Sequence, residues 1–185
     1  MSNTYDHRVF DSERDPDEIV NYNYRTQLSR ISGSTVVIAV DGACRGNGTP
    51  NANAGYGVFF GPSSRFNRSG CLPDDGRQTS QRAEIYAAQV ALNTLRNRVK
   101  LGRRQRVVII TDSDYLAKSM SDYVYKWVNN DWLNAKGQTV INAESLEKLH
   151  ATIVKLEGQG MRVRFWRVPR AYNQEADELA NDALD

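Results

Sequence analysis

Two runs of β-branched apolar residues, TVVIAV at 35–40 and RVVIIT at 106–111, each end directly on an aspartate, Asp41 and Asp112. Runs of this length and composition read as buried strands. The chain must therefore bury at least two strands while leaving a carboxylate at the end of each. The first run gives way to DGACRGNGTPNANAG, whose Gly, Asn and Pro content predicts a loop starting at Asp41. Residues 55–60 and roughly 65–72, separated by GPSS, suit two further strands joined as an antiparallel hairpin.

The segments between are helical in period. Residues 80–96 place Ile85, Ala88, Leu92 and Leu95 on one face, with Thr79 or Ser80 available as a cap. Residues 113–128 are amphipathic only in pieces and predict two short helices. Residues 143–157 align Leu146, Leu149, Ile153 and Leu156, and Gly158 and Gly160 end them. A last strand at 162–168 (RVRFWRV) is broken by Pro169, and 173–184 predicts a closing helix. The order β, β, β, α, β, α, β, α implies an α/β fold, a five-stranded mixed sheet with helices on both faces.

With 185 residues, one compact domain is affordable, at roughly 70% burial of the unfolded surface. It is placed at 34–185. Residues 1–33 mix Asp, Glu, Arg, Asn, Ser and Tyr without a sustained period and are expected to be a flexible N-terminal extension. Cys44 and Cys71 cannot form a four-thiolate zinc site, and His7 and His150 are too few for a His-rich one. The acidic, run-free N-terminus matches neither a secretory signal nor an Arg-rich transit peptide, and no stretch is long enough to span a membrane. An intracellular protein of the nucleus or cytoplasm, with free thiols, is expected. A net charge of +2, from 24 Lys and Arg against 22 Asp and Glu, identifies no partner by bulk electrostatics.

The connectivity carries one step further. A helix at 80–96 that links an antiparallel strand to one running parallel with the first must begin near the C-terminal strand rim. Asp41, Asp112, Glu84 in that helix and Asp177 in the last helix then share this rim, where open α/β sheets bind ligands. Each acid alone has an ordinary explanation as a turn former or helix-dipole partner. Four together would repel unless cations neutralised them, and hard oxygen ligands of this kind select Mg²⁺ or Mn²⁺.

DGAC at 41–44, TSQRAEIYAA at 79–88, TDSDY at 111–115 and NQEADELAN at 173–181 resemble the type 1 ribonuclease H family, particularly its eukaryotic branch. The resemblance covers essentially all of residues 34–184 and implies a ribonuclease H-like fold. It also implies endonucleolytic cleavage of the RNA strand of RNA/DNA hybrids to 5′-phosphate and 3′-hydroxyl ends. Asp41, Glu84, Asp112 and Asp177 would be both the catalytic residues and the ligands of two Mg²⁺ ions, with Mn²⁺ as a possible substitute. Asn47, Ser80 and Gln81 would contact the RNA strand in the minor groove, where the 2′-hydroxyl distinguishes it. Arg77, Thr79 and Asn142 match the family's phosphate pocket for the DNA strand, and Tyr123 with Trp127 its aromatic DNA channel. Trp132 and Trp166 are expected in core or loop.

Departures accompany the match. Ser80 and Tyr123 stand where relatives often have Asn and Trp. Residues 168–173 hold no histidine where relatives carry a Gly and His-containing loop, so slower turnover is expected, with Arg170 or Tyr172 as partial substitutes. The basic segment RNRVKLGRRQR at 96–106 falls at the rim opposite the carboxylates and is expected to be a solvated loop. The connecting segment 126–138 holds only Lys126 and Lys136, so a weaker electrostatic grip is expected. A monomer acting on RNA/DNA hybrid is the main expectation. The alternative is a hybrid-binding protein with attenuated or lost catalysis, and a transposase or structure-specific nuclease of the same broad fold leaves the groove residues unexplained.

Overall fold

The computed structural model describes residues 6–102 and 105–185. Residues 1–5 of the expected extension, and Arg103 and Arg104 of the basic segment, lie outside the described residues. Five strands form the expected mixed sheet: β3 (Thr35–Arg45), β4 (Asn53–Phe59), β5 (Arg68–Cys71), β6 (Arg106–Thr111) and β7 (Arg162–Arg167). They lie in the order β5-β4-β3-β6-β7, with β3, β6 and β7 parallel and the β3-β4-β5 pairings antiparallel.

Two expectations need correction. The sheet has seven strands rather than five, because β1 (Asn21–Asn23) and β2 (Leu28–Ser32) form a hairpin within the segment expected to be a flexible extension. One edge of β3 takes β6. The other is covered in series, by β2 along residues 35–37 and by β4 along 39–45. The residues before the hairpin are attached as well. Phe10 donates its N–H to the Phe165 carbonyl at 2.9 Å and packs its ring on Trp166, and the Tyr172 hydroxyl donates to Asp15 at 2.8 Å. The second correction concerns Asp41. It does not end the strand, because pairing with β4 continues from Asp41↔Gly57 to Arg45↔Asn53. Pairing with β6 stops at Ala39↔Ile110, so Asp41 sits where β3 parts from β6 and one of its edges opens.

Alternation along β3 builds two cores. Val36, Ile38 and Val40 face α2 (Ser80–Arg98) and α5 (Ala143–Gly158), joining Ile85, Leu92, Leu95, Leu146, Leu149 and Ile153. Val37 and Ala39 face α6 (Gln174–Asp182), with Ile110, Trp166 and Ala176. Helices therefore lie on both faces. The α2 helix is Ala-rich and is capped by Thr79, whose side chain accepts from the Arg82 N–H. Residues 113–128 hold the two expected short helices, joined without a break. A short α3 (Asp114–Lys118) passes through a π-helical turn (Ser119–Tyr123) into α4 (Val124–Val128). A four-residue α1 (Pro16–Ile19) precedes the hairpin. No helix of the described residues is long and apolar enough to cross a membrane.

Candidate active site

Two glycine contacts bring the site's helices close to the sheet. At Gly42 a Cβ would lie 2.4 Å from the Glu84 nitrogen, so the absent side chain lets the first turns of α2 rest on β3. At Gly57 a Cβ would lie 2.1 Å from the Ala176 carbonyl oxygen, which lets α6 lie directly on β4. Glu84 is thereby delivered from one face of the sheet and Asp177 from the other. Asp112 follows the last residue of β6, and Asp41 occupies the point where β3 and β6 separate.

The four carboxylates interact as a series. Asp41 is only 6% exposed, and burial together with the nearby Asp112 and Asp177 holds its pKa up to about 8, despite a 2.8 Å hydrogen bond from the Gly42 N–H. Glu84 is raised to about 7 by burial and by Asp112, partly opposed by the Ser113 hydroxyl that donates to it. Interaction thus runs from Glu84 to Asp112, to Asp41, to Asp177, around the rim from one face to the other. Among the described residues, no group of three or more His, Cys, Asp or Glu side chains forms a ready coordination shell. The four acids expected as metal ligands form a coupled chain of carboxylates. Besides the Gly42 N–H on Asp41, the other three accept from side chains: Asp177 from Arg170 at 2.8 Å, Asp112 from Asn173 at 3.3 Å and Glu84 from Ser113.

Sequence reasoning missed Ser113 and Asn173. Ser113 both caps α3, accepting from the Leu116 N–H, and donates to Glu84. The capping role was readable in the pattern, but the cross-chain donation was not. Asn173 precedes α6 and has the residue type of an N-cap, yet its side chain makes no cap. It is fully buried, and its amide donates to the Val40 carbonyl at 3.0 Å as well as to Asp112. Its Oδ1 is buried with no hydrogen-bond partner, a hard neutral oxygen beside the carboxylates. Arg170 and Tyr172 lie on a 3-10 turn (Arg170–Tyr172) between β7 and α6.

The expected nucleic-acid contacts fall at three places on the surface. Asn47 is exposed in a tight turn between Gly46 and Gly48, both in the left-handed region. Arg77 and Thr79 line an open hollow with Gly48, Thr49 and Pro50. The Thr79 oxygen accepts at the helix cap, which leaves its O–H free to donate. Ser80 and Gln81 begin α2 beside that hollow, Gln81 exposed. Asn142, left-handed at φ 62°, lies next to Tyr115, which Glu84 influences, and begins α5, whose Glu144 feels Asp75 and Arg82. It is not among the residues that line the Arg77 hollow. Tyr123 and Trp127 are half-buried, with tilted rings whose centroids lie 5.7 Å apart, and Trp132 extends the cluster at 5.8 Å from Trp127, both tryptophans packing against the core. Trp166 is core, as expected. The described part of the 96–106 segment lies at the opposite end of β6 from Asp112.

Comparison with known proteins gives a consistent result. A family model described as RNase H matches residues 33–185. Ribonuclease H1 of Rattus norvegicus is 36% identical over 154 residues, which cover 81% of this chain and 50% of the relative. The chain thus spans about half the length of that mammalian relative. Ribonuclease H of Pelobacter propionicus is 31% identical over 162 residues, 86% of this chain and 91% of the relative. Among solved structures, the N-terminal RNase H domain of a Mycobacterium tuberculosis protein, fused to maltose-binding protein, aligns with TM-score 0.51 at 26% identity, covering 82% of this chain and 99% of that one. LC11-RNase H1 in complex with RNA/DNA hybrid aligns with TM-score 0.56 at 24% identity, over 80% of this chain and 96% of that one, a likeness of fold.

Proposed function

Because the chain belongs to the ribonuclease H family, we propose that it is a metal-dependent endonuclease that cuts the RNA strand of RNA/DNA hybrids, leaving 5′-phosphate and 3′-hydroxyl ends. The observation that carries this reading is the unbroken series of four carboxylates from four elements, with Asp41 held up to about 8 and Glu84 to about 7. Acids so placed are unfavourable in isolation and favourable around cations. The donor set fits two divalent cations of the Mg²⁺ or Mn²⁺ type: four carboxylates plus the unpartnered Oδ1 of Asn173 are hard oxygens, with no thiol or imidazole among them. Asp41, Glu84, Asp112 and Asp177 would hold the ions. Bound there, they supply Lewis acidity at the scissile phosphate and a more acidic attacking water.

The protein's own part is to place the hybrid. Asn47, Ser80 and Gln81 offer hydrogen-bonding groups for the 2′-hydroxyl side of the minor groove, the chemical difference between RNA and DNA. Arg77, the Thr79 hydroxyl and Asn142 offer donors to a DNA phosphate, and Tyr123 with Trp127 an aromatic surface for deoxyribose and base. A solved structural neighbour bound to RNA/DNA hybrid supports this assignment of substrate. The test is incubation with labelled hybrid, duplex DNA and duplex RNA in Mg²⁺, Mn²⁺ or EDTA. Metal-dependent cutting confined to the RNA of the hybrid is expected. Tight hybrid binding without cutting in either metal would overturn the proposal in favour of a binding protein.

A further inference from the structure

Arg8 precedes the region matched by the family, yet it is completely buried. Its neighbours steer it inward. Val9 bridges in parallel to Phe165 on the free edge of β7, and Phe10 is held there by its N–H and by Trp166. The Arg8 guanidinium then enters between α5 and the π turn. It forks onto Glu157, with Nε 3.3 Å and Nη2 3.0 Å from the two carboxylate oxygens, and Nη1 lies 3.0 Å from Nδ1 of His150. Burial and the Arg8 charge lower the His150 pKa to about 4, so this nitrogen is a neutral acceptor.

A further contact is to the π turn itself. In an uninterrupted α-helix the Val124 N–H would bond the Met120 carbonyl; here it reaches back to Ser119 instead. The bypassed Met120 carbonyl accepts from Arg8 Nη1 at 3.1 Å. A π turn amounts to one extra residue in the helix, so losing it would swing everything downstream by about 100°. Tyr123 ends the turn, and Trp127 follows one α-helical turn later.

We propose that Arg8 is a positioning residue for hybrid binding: by donating to the Met120 carbonyl, which the Val124 N–H passes over, it sets the direction in which the Tyr123–Trp127 surface faces. This rests on the reading of that surface as the channel for the DNA strand. It gives the N-terminal segment a role in substrate affinity rather than in bond cleavage, which belongs to carboxylates elsewhere on the sheet.

The test compares the 185-residue chain with its Arg8→Ala, Arg8→Lys and Trp127→Ala variants, measuring kcat and KM for hybrid cleavage well below each variant's melting temperature. Arg8→Ala is expected to raise KM by about tenfold, the size of one lost stacking contact, with kcat within about twofold. Arg8→Lys should recover part of the loss, since lysine can reach the carbonyl but cannot fork. Tens of millimolar guanidinium, against NaCl of equal ionic strength, should restore KM for Arg8→Ala, a rescue that general destabilisation would not give. An unchanged KM in Arg8→Ala alongside a raised KM in Trp127→Ala overturns the role of Arg8 and leaves the channel standing. An unchanged KM in Trp127→Ala removes the channel reading, and this proposal with it. Should Arg8→Ala fail to fold, Glu157→Gln keeps the volume and weakens the fork; KM should rise there too, and an unaltered KM refutes the proposal.

Discussion

At the scale of single residues, Asp41 is where stability and activity conflict. It is buried, faces Asp112 and Asp177, and accepts a single backbone hydrogen bond, from Gly42. Asp41→Asn keeps the shape and removes the charge. It is expected to abolish cleavage while raising the melting temperature in EDTA, by about 2–4 °C for each kcal/mol of burial and repulsion relieved. Calorimetry beside the hybrid assay checks both halves; a lowered melting temperature would mean that Asp41 is a net structural asset. Asp112→Asn is likewise expected to abolish cutting with hybrid binding largely kept, as measured by a gel-shift titration. Equal loss of binding would point to a structural role. The acids themselves were legible because each stands at the edge of a strong strand or helix pattern. Their supports were not. Ser113 and Asn173 act across 29 and 61 positions of sequence, and a solitary arginine such as Arg8 reads as surface until a distant carbonyl and carboxylate claim it.

At the scale of elements, what aims Asp177 is the closeness of α6 to β4. This nine-residue helix buries only two residues, Ala176 and Ala180, and lies over Gly55 and Gly57. Gly57→Ala would press a methyl into the Ala176 carbonyl, so α6 has to move off the sheet with Asp177. The expected cost is about 1–3 kcal/mol of stability and a loss of activity approaching a hundredfold, as displacements near 1 Å can produce. Gly33→Ala, with nothing within 4 Å, is the control and should leave both unchanged. Full activity in Gly57→Ala would show that α6 needs no such approach. The helices α2, α5 and α6 and strands β6 and β7 were readable from period and composition alone. β1 and β2 were not, because NYN is only three residues long and LSRIS carries no alternation, and their place depends on the uncovered edge of β3 next to β4. Nor was the course of β3 beyond Asp41, since its glycines and asparagines read as loop until β4 pairs with them. The π turn has no periodic signature and depends on Arg8, 112 positions away.

At the scale of the whole molecule, the carboxylate series ties fold stability to pH and to divalent cations. Asp41 ionises near pH 3.8 when unfolded but near 8 in the fold, and Glu84 near 4.5 and 7. Between these limits the native state holds protons that the unfolded chain has released, so stability falls as pH rises from about 4 to 8. His150 works in the opposite sense. Its folded pKa of about 4 lies below the unfolded 6.5, so its contribution is present above 6.5 and is lost as pH falls towards 4. A plain stability profile therefore mixes the two. The difference between melting with and without Mg²⁺ separates them, since His150, among Arg8 and Glu157, contributes equally to both arms. At pH 5 Asp41 and Glu84 are protonated, and a cation must displace those protons to bind. At pH 8 Glu84 is mostly ionised and Asp41 about half so, and binding then displaces few protons and relieves the repulsion. Saturating Mg²⁺ is thus expected to raise the melting temperature clearly at pH 8 and hardly at pH 5, and Asp41→Asn should shrink the rise at pH 8. An equal rise at both values, or one untouched by Asp41→Asn, would place the cation elsewhere on the protein and detach the buried acids from metal binding.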